Sequence, residues 1–396
     1  MTALGDKALQ LAQSLIRCES VTPTDAGALE IVIQALKPAR FTFWRLSFKD
    51  EDTPPVDNLY ARVGEGPPNL CFAGHVDVVP PGDATLWTHP PFAAEIADGT
   101  LYGRGASDMK GAIACFTAAA LDYVKSRGRE IDGSISILIT GDEEGPAING
   151  TRKVLAWMKD QGERPDHCLV GEPSNAKRIG ETIKIGRRGS LNGRLTVTGT
   201  QGHVAYPHLA SNPVKGLVTI LARLYDSPLD YGSAHFSPSN LEVSTIDVGN
   251  PTTNIIPASA EARFNVRFND RHEADALKDL LREHARAALA GSEASFSIAF
   301  EPHAESFLTE PSQLDALLSE AVRDVTGLTP SLSTDGGTSD ARFIKAYCPV
   351  IEFGLTTATI HKVDEQVAIA DLEQLTAVYR RFIELYFETF GGADAG

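Results

Sequence analysis

The sequence has no long apolar run and fewer basic than acidic residues. No stretch approaches the roughly 18 apolar residues that cross a bilayer, and the N-terminus lacks the basic and apolar segments of a secretory signal. We therefore expect a cytoplasmic protein. The 36 basic residues face 52 acidic ones, and the net charge of -16 disfavours nucleic acid or an anionic membrane as a general partner.

Cysteines are few, and three common catalytic motifs are missing. The five cysteines are odd in number and lie mostly in apolar stretches, so we expect buried free thiols. No two have zinc-knuckle spacing, which leaves nitrogen and oxygen atoms as the ligands of any metal. The chain also lacks the Gly-x-Ser-x-Gly, Walker A and His-Glu-x-x-His motifs, which argues against serine-hydrolase, P-loop and helix-borne zinc-peptidase chemistry.

Short apolar runs alternate with helical patterns along most of the chain. Its 396 residues suggest two to three domains. We predict buried strands at 69–73, 134–140, 168–171 and 349–353, and a packed helix at 108–124. This alternation predicts an α/β fold with a mostly parallel central sheet flanked by helices, in which sites form outside the carboxyl ends of strands.

The pattern changes between residues 185 and 299. Strands are predicted at 191–199, 240–248, 260–268 and 295–300, and helices at 212–224 and 273–290. The order strand, helix, strand, strand, helix, strand predicts an α+β, ferredoxin-like domain with two helices on one face of an antiparallel sheet. We expect it to be inserted between two parts of a larger domain, 1–184 and 300–396.

Metal-seeking side chains follow the predicted strands. Two histidines and several carboxylates stand at or just beyond strand ends, or in a loop that enters a helix. They are His75, Asp77, Asp108, Glu143, Glu144, Glu172 and His361. Each alone has an ordinary explanation, such as a helix cap or a solvated acidic turn. Their occurrence together predicts a site for two divalent cations and a metal-dependent hydrolase.

Two cations a few ångströms apart require a bridging carboxylate. Asp108 is the best candidate for the bridge, with His75 and Glu172 on one ion and Glu144 and His361 on the other. Zinc suits these nitrogen and oxygen ligands, and cobalt or manganese also fit. Amide hydrolysis needs a strong nucleophile and a polarised carbonyl, and both are supplied by such metals.

The remaining two candidates are assigned to proton transfer and orientation. Successive side chains of an extended chain point to opposite sides, so Glu143 and Glu144 are not expected to bind metal together. We therefore predict that one of them is a metal ligand and the other a base. Glu143 is the predicted general base and acid. Asp77 is expected to accept a hydrogen bond from the second nitrogen of the His75 ring.

Taken together, these motifs resemble a known superfamily. It is the co-catalytic zinc hydrolases that include aminoacylases, carboxypeptidases and deacetylases, and within it the chain is most similar to the succinyl-diaminopimelate desuccinylase family. The similarity also rests on residues 20–23, 80–83, 101–106, 186–190 (Gly-Arg-Arg-Gly-Ser), 337–340 (Gly-Thr-Ser-Asp) and 359–365 (Thr-Ile-His-Lys-Val-Asp-Glu). The resemblance implies a zinc-exopeptidase-like fold with two zinc or cobalt ions per subunit. It also implies hydrolysis of N-succinyl-LL-2,6-diaminopimelate to succinate and LL-2,6-diaminopimelate, in bacterial lysine and diaminopimelate biosynthesis.

The resemblance further assigns roles outside the metal residues. It implies that the inserted domain forms a homodimer and sends His203 into the neighbouring subunit's site, where the ring stabilises the oxyanion. Fixed guanidinium groups are expected because they match the substrate's carboxylates. The substrate contacts implied are Arg187, Arg188, Ser190, Tyr206, Asn254, Arg267, Thr338 and Arg342.

Three positions depart from the family pattern, and two alternatives stay open. Asp335 and Ala341 stand where the family usually has serine and glycine, and Thr357 where asparagine is frequent. All three flank the expected substrate pocket. One alternative is an acetylornithine deacetylase or another aminoacylase with the same metals. The other is a non-catalytic dimeric binding protein, which should lack a metal ligand or the base.

Overall fold

The computed structural model describes residues 2–128, 130–226 and 228–391. Its α-helices are α1 (Ala3–Ile16), α2 (Ala28–Leu36), α3 (Gly111–Ser126), α4 (Thr151–Asp160), α5 (Pro213–Tyr225), α6 (Ala274–Ala288), α7 (Gln313–Thr326), α8 (Ala341–Ile344) and α9 (Ile369–Phe390). None of the helices in these residues is long and apolar enough to cross a membrane.

The β-strands are numbered in chain order. They are β1 (Thr42–Phe48), β2 (Val56–Gly64), β3 (Asn69–His75), β4 (Ile96–Ala97), β5 (Thr100–Tyr102), β6 (Ser134–Thr140), β7 (His167–Val170), β8 (Thr182–Lys184), β9 (Gly186–Arg187), β10 (Gly189–Thr198), β11 (Gly202–His203), β12 (Asn240–Asp247), β13 (Ile255–Ile256), β14 (Ser259–Phe268), β15 (Ser295–Phe300), β16 (Phe307–Leu308), β17 (Ser331–Ser333), β18 (Val350–Glu352) and β19 (Gln366–Ala368).

The chain forms two compact units. The first comprises the described residues up to Ile185, Thr309–Ser333 and those from Ser339 onward. The second comprises Gly186–Leu308 and the short segment Thr334–Thr338. Strands β9 and β16 pair within the second unit, which therefore continues past β15 as far as Leu308.

An eight-stranded sheet organises the first unit. Its order is β1-β2-β6-β3-β7-β18-β8-β17. The central pairs β6–β3, β3–β7 and β7–β18 are parallel, whereas β1 and β2 add antiparallel strands at one side. Strands β3 and β6 are buried along their whole length, as continuous apolar strands covered on both faces should be. The predicted α/β class is confirmed.

Aromatic and small residues build the core against this sheet. Phe72 of β3 stacks on Phe116 of α3 with ring centroids 4.2 Å apart, and Tyr379 of α9 meets Phe116 edge-on at 5.6 Å. Helix α3 begins at Gly111, later than the predicted residue 108, because Asp108 and Met109 have non-helical backbone angles. A Cβ at Gly111 would lie 2.4 Å from the Ala106 carbonyl oxygen, so only glycine fits this close approach.

The second unit contains the predicted ferredoxin-like arrangement. Its antiparallel sheet has the order β12-β14-β10-β15, and α5 and α6 join the strands in the order strand, helix, strand, strand, helix, strand. Every second residue of β10 is buried, which matches a sheet with one covered face. Leu195, Val197, Leu217, Phe264 and Leu281 belong to the core of this unit. Strands β12 and β15 are the two edges.

The five cysteines are free thiols, as expected. Four are buried and Cys18 is half-buried.

Candidate active site

Three neighbouring parallel strands bring the predicted metal residues to one edge of the sheet. His75 is the last residue of β3, Glu143 and Glu144 follow β6, and Glu172 follows β7. Because β6, β3 and β7 are adjacent and parallel, their carboxyl ends meet. Residues far apart in the sequence therefore share one small volume.

Asp108 lies between the two histidines. One carboxylate oxygen, Oδ1, is 3.3 Å from Nε2 of His75, and the other, Oδ2, is 3.4 Å from Nε2 of His361. The extended backbone at Asp108, with φ -123° and ψ 96°, keeps this residue out of the helix that follows. A carboxylate with one oxygen toward each imidazole has the geometry of a bridging ligand.

Each histidine has a second carboxylate partner. Nε2 of His75 is 3.6 Å from Oε1 of Glu172, and Nε2 of His361 is 2.8 Å from Oε1 of Glu144. His75 is buried, whereas the His361 side chain is 47% exposed. Each histidine thus lies close to Asp108 and to one glutamate.

Glu143 also reaches the cluster. Ligand atoms of His75, Glu143 and Glu172 lie within 4.8 Å of one another, and so do those of His75, Asp108 and Glu144. Both glutamates sit in a turn after β6, so the extended-chain argument that would point them apart does not apply. Distance alone does not separate ligand from base here.

Two buried atoms at the centre of the cluster support cation binding. Nε2 of His75 and Oδ1 of Asp108 are buried and have no hydrogen-bond partner in the described part of the chain. Buried polar atoms normally have a partner, and an ion is one explanation when they do not. Imidazole and carboxylate donors suit zinc, cobalt or manganese, so these residues fit a divalent-metal site.

Asp77 orients His75, but through its backbone. Nδ1 of the ring lies 2.9 Å from the Asp77 carbonyl oxygen, whereas the Asp77 carboxylate is 3.7 Å away. The carboxylate instead accepts the backbone N–H groups of Glu143 at 3.3 Å and Glu144 at 3.0 Å. The partner of the ring nitrogen at Asp77 is therefore the backbone carbonyl. With Nδ1 donating, the neutral ring presents its Nε2 lone pair to the cluster.

The excess of carboxylates changes the protonation of the site. Burial opposes a charge on His75, but Asp108, Glu143 and Glu172 outweigh it and hold the pKa of His75 well above its usual value. Hydrogen bonds to Asp108 and Glu144 raise the pKa of His361 to about 10. The protonated imidazole of His361 thus balances part of the negative charge of the carboxylates, a role that metal cations would take over.

Two carboxyl groups have raised pKa values. Burial and the charge of Glu172 hold the pKa of Glu143 well above its ordinary value. Burial raises the pKa of Asp77 to about 6, despite the charge of His75. Asp108 is the opposite case, because contacts with His361 and His75 overcome burial and lower its pKa. A raised pKa is what a general base and acid requires, and Glu143 shares this property with Asp77.

The predicted substrate residues of the second unit fall into two groups. In the first, Nη1 of Arg187 donates to the Gly337 carbonyl at 3.2 Å, and Gly336 adopts φ +112° next to this guanidinium. Arg188 donates to Oδ1 of Asn240 at 3.0 Å. Arg267 is half-buried, and burial together with the charge of Arg188 lowers its pKa.

The second group lies on the short β11–β13 pair. His203 pairs with Ile255, and Val204 N–H donates to the carbonyl of Asn254 at 3.1 Å. Nδ1 of His203 accepts the Ala205 N–H at 3.0 Å. The His203 and Asn254 side chains are exposed, and Tyr206 is 56% exposed.

Two further predicted contacts of the second unit are Ser190 and Thr338, and Arg342 belongs to the first unit. Ser190 pairs with Arg267 across β10 and β14, and its hydroxyl accepts an N–H of Asn265 at 3.0 Å. Thr338 ends the 334–338 segment of the second unit. In the first unit, Nη1 of Arg342 donates to the Ser339 carbonyl at 3.1 Å, and its guanidinium lies over the Phe343 ring.

The departures from the family pattern have simple surroundings. Asp335 is exposed, and Thr357 is half-buried with its N–H bonded to the Asn175 carbonyl at 2.8 Å. Ala341 is the first residue of α8, where a Cβ is compatible with the helical backbone. None of the three belongs to the metal cluster.

Sequence reasoning missed several supporting residues. Asp142 is buried and accepts the N–H groups of Ile148 and Asn149, both at 2.8 Å, which closes the loop that carries the two glutamates. Glu365 and Arg104 form a buried pair behind Asp108. Arg104 and Glu365 lie within the segments 101–106 and 359–365, on which the family resemblance rests. Only their burial in the structure distinguishes them from charged residues at the surface.

Comparison with known proteins shows which family and which sequences this chain resembles. The family model "Peptidase family M20/M25/M40" matches residues 71–385. A succinyl-diaminopimelate desuccinylase of Rhodopseudomonas palustris (strain BisB5) is 56% identical over 98% of this chain and 100% of its own length. Another, from Methylobacterium radiotolerans, is 57% identical over 96% and 97%.

Solved structures share the fold at low identity. An M20 family metallo-carboxypeptidase from Sulfolobus solfataricus aligns with TM-score 0.76 and 19% identity, over 97% of this chain and all of the other. The YXEP protein of Bacillus subtilis, described as a dinuclear metal binding peptidase from the M20 family, aligns with TM-score 0.71 and 16% identity, over 98% and 99%. At these identities the likeness supports the fold alone.

Proposed function

The chain belongs to the M20/M25/M40 peptidase family, and from this premise we propose that it hydrolyses N-succinyl-LL-2,6-diaminopimelate to succinate and LL-2,6-diaminopimelate. The observation that carries the proposal is the 56% identity, over essentially full length, to a relative named for this activity. We place the enzyme in the cytoplasm, in bacterial lysine and diaminopimelate biosynthesis. The histidines and carboxylates described above are the residue types that a metal-dependent hydrolysis needs.

We assign the cluster to two divalent cations, zinc in the first place. His75, Asp108 and Glu172 would hold one, and Asp108, Glu144 and His361 the other. When bound, the cations would polarise the scissile carbonyl and activate water. The carbonyl of Asp77 keeps the His75 ring oriented for this task, and its carboxylate holds the turn that carries Glu144.

Glu143 is the proposed general base and acid. The carboxylate would take a proton from the attacking water and return it to the leaving nitrogen, and its raised pKa favours this role because it strengthens the base. The proposal is supported by the position of the Glu143 carboxylate, which lies within 4.8 Å of ligand atoms of His75 and Glu172. General acid-base catalysis contributes about 10²- to 10⁴-fold in rate, and Glu143→Gln should lose about that much.

Arg188 and Arg267 are the proposed anchors for a substrate carboxylate. Neither guanidinium contacts a carboxylate within the described residues, although the two are close enough for one charge to lower the pKa of the other. Two unneutralised, half-buried cations form a favourable site for an anion. Arg187 and Arg342 already donate to backbone carbonyls, so we assign them to shaping the loops around the substrate.

His203 is the proposed oxyanion-stabilising residue, and its action across subunits requires a homodimer. Because Nδ1 of the ring accepts a backbone N–H, the neutral tautomer keeps its proton on Nε2, available to a substrate oxygen. A dimer is supported by the second unit's surface. The edge strand β12 carries Ile246, 57% exposed, next to the equally exposed Val218 and Tyr225 of α5. These residues line one groove of about 640 Å³.

Sedimentation of Ile246→Asp tests the dimer. The variant should sediment as a monomer, with lower activity if His203 acts in the other subunit. Wild-type protein that sediments as a monomer would refute the homodimer.

The substrate test uses metal-free protein reloaded with zinc. Hydrolysis of N-succinyl-LL-2,6-diaminopimelate is compared with that of N-acetylornithine, and Glu143→Gln is measured alongside. We expect turnover of the succinyl substrate, loss of turnover in the variant, and unchanged zinc content. Preference for N-acetylornithine would instead identify a deacetylase with the same catalytic groups. No turnover of either substrate would contradict the proposal.

A further inference from the structure

Glu365 is a fully buried carboxylate next to the metal cluster. Its Oε1 accepts the backbone N–H groups of Ser107 at 3.0 Å and Asp108 at 3.1 Å. Its Oε2 accepts a hydrogen bond from Nη1 of Arg104 at 2.6 Å. Three donors therefore converge on one side chain, and one of them is the backbone of the proposed bridging residue.

Arg104 extends these contacts to the loop of the second histidine. Its Nη1 also donates to the carbonyl of Lys362, the residue after His361, at 3.2 Å. The guanidinium is buried and lies over the Trp87 ring, 5.2 Å from the ring centroid. The backbone carbonyl of Glu365 in turn accepts the Gly103 N–H at 2.8 Å. The pair thus joins the loop of Asp108 to the loop of His361.

The loop of His361 needs such support. His361 and Asp364 have φ values of +60° and +56°, a left-handed conformation that residues with a Cβ rarely adopt. Backbone in this region persists only where surrounding contacts determine it. Asp364 is held by Thr88, whose N–H and hydroxyl both donate to its carboxylate at 2.8 Å. On the side that faces the metal-binding residues, the loop is held by Arg104, which bonds the Lys362 carbonyl and the Glu365 carboxylate.

We propose that Glu365 is a positioning residue for the metal centre, which sets the Asp108 carboxylate and the His361 imidazole at the separation that the second cation needs. The proposal rests on the dinuclear function proposed above. Glu365 is fully buried and belongs to neither group of ligand atoms in the cluster. It acts through the backbone of Asp108 and, by way of Arg104, through the backbone beside His361.

The physical argument is one of pre-organisation. Ligands that are already in place bind a cation without first ordering their loops, and loss of an orienting partner typically lowers metal affinity about 10- to 100-fold. In Glu365→Gln the side chain keeps its size but loses its charge. If the amide oxygen of the glutamine accepts the N–H groups of Ser107 and Asp108, its NH₂ group points toward Arg104. Two hydrogen-bond donors, the amide NH₂ and the guanidinium, would then face each other. One of the two loops then has to move.

The test is a cobalt titration of metal-free protein. Visible absorption reports the coordination of each ion, and equilibrium dialysis counts the ions bound. We expect two ions on the wild type. In Glu365→Gln we expect the second ion, held by Glu144 and His361, to bind about 10- to 100-fold more weakly, with an altered spectrum.

Glu163→Gln is the matched control. Glu163 accepts a hydrogen bond from Arg62 at 2.7 Å and from the Tyr60 hydroxyl at 2.9 Å, and these residues are separate from the metal cluster. The Glu163→Gln variant also loses a carboxylate that is paired with an arginine. Because this pair is separate from the metal-binding residues, the variant should bind both ions like the wild type. Glu365→Asp is the second variant, because it keeps the charge opposite Arg104 and should fold where Glu365→Gln does not. Its shorter side chain should weaken the second ion in the same direction.

Three outcomes are decisive. Wild-type affinity for both ions in the folded Glu365 variants would overturn the positioning role. An equal loss in Glu163→Gln would do the same, since the effect would then be general destabilisation. A wild-type protein that binds fewer than two ions would instead refute the dinuclear proposal, whatever Glu365 does.

Discussion

Metal binding should release protons, and their number follows from the cluster. In metal-free protein near pH 7.5, His361, with a pKa of about 10, is protonated. Against the effect of burial, Asp108, Glu143 and Glu172 also hold the pKa of His75 well above its usual value. An imidazole binds a metal only through a lone pair, so each must lose its proton. Binding of two ions should therefore release the proton of His361 and any proton that His75 carries.

The sign of the pH effect is fixed by the same argument. Raised histidine pKa values mean that protons compete with the metal below those values, and affinity should rise with pH. If both histidines are protonated, the product of the two binding constants should change about 100-fold per pH unit between pH 6 and 8, or about 10-fold for each ion. Glu143, whose pKa is also raised, would add to the release wherever it is protonated before binding.

Calorimetry measures the count directly. Zinc is titrated into metal-free protein in buffers with different ionisation enthalpies, and the slope of the observed enthalpy gives the protons released. His361→Asn should release about one proton fewer. His89→Gln changes a histidine that pairs with Glu95 outside the cluster and should leave the count unchanged. Binding with no dependence on buffer or pH would refute the assigned protonation.

Three further substitutions test binding, stability and backbone fit. Arg267→Lys should raise KM more than it lowers kcat in steady-state kinetics, because an ammonium cannot make the two parallel bonds of a guanidinium to a carboxylate; an unchanged KM would remove Arg267 from the substrate site. Phe116→Ala should lower the free energy of unfolding by about 3–5 kcal/mol in urea, because it empties a fully buried site, whereas exposed Leu86→Ala should change it little; equal effects would contradict the packing. Gly111→Ala places a Cβ 2.4 Å from the Ala106 carbonyl oxygen and should reduce the zinc bound per chain, because the start of α3 has to move; wild-type zinc content would show that the backbone tolerates the change.

Much of the fold followed from local patterns. The strand at 134–140 and the strand at 295–300 have the predicted bounds, and the helices of the second unit lie within about two residues of theirs. Continuous apolar runs identify buried strands, and alternation identifies strands with one covered face. Both signals are carried by neighbouring residues, so no tertiary information is needed to read them.

Part of the site followed in the same way. Carboxylates and histidines at strand ends were expected to meet, and the adjacency of β6, β3 and β7 brings them together. Strand order itself was not predicted, nor were the antiparallel strands β1 and β2. Pairing between strands depends on residues distant in the chain, which a local pattern does not contain.

The sequence by itself determined which chemical groups are available, namely histidine and carboxylate side chains that follow the strands, and it indicated two kinds of domain. The tertiary structure decided how these groups are held. It assigned the His75 ring to the carbonyl of Asp77, and it buried Glu365 against Arg104, a residue 261 positions away. A charged residue in a sequence reads as a surface group until folding shows its partner, because the free energy of a buried charge depends on contacts that only the folded chain makes.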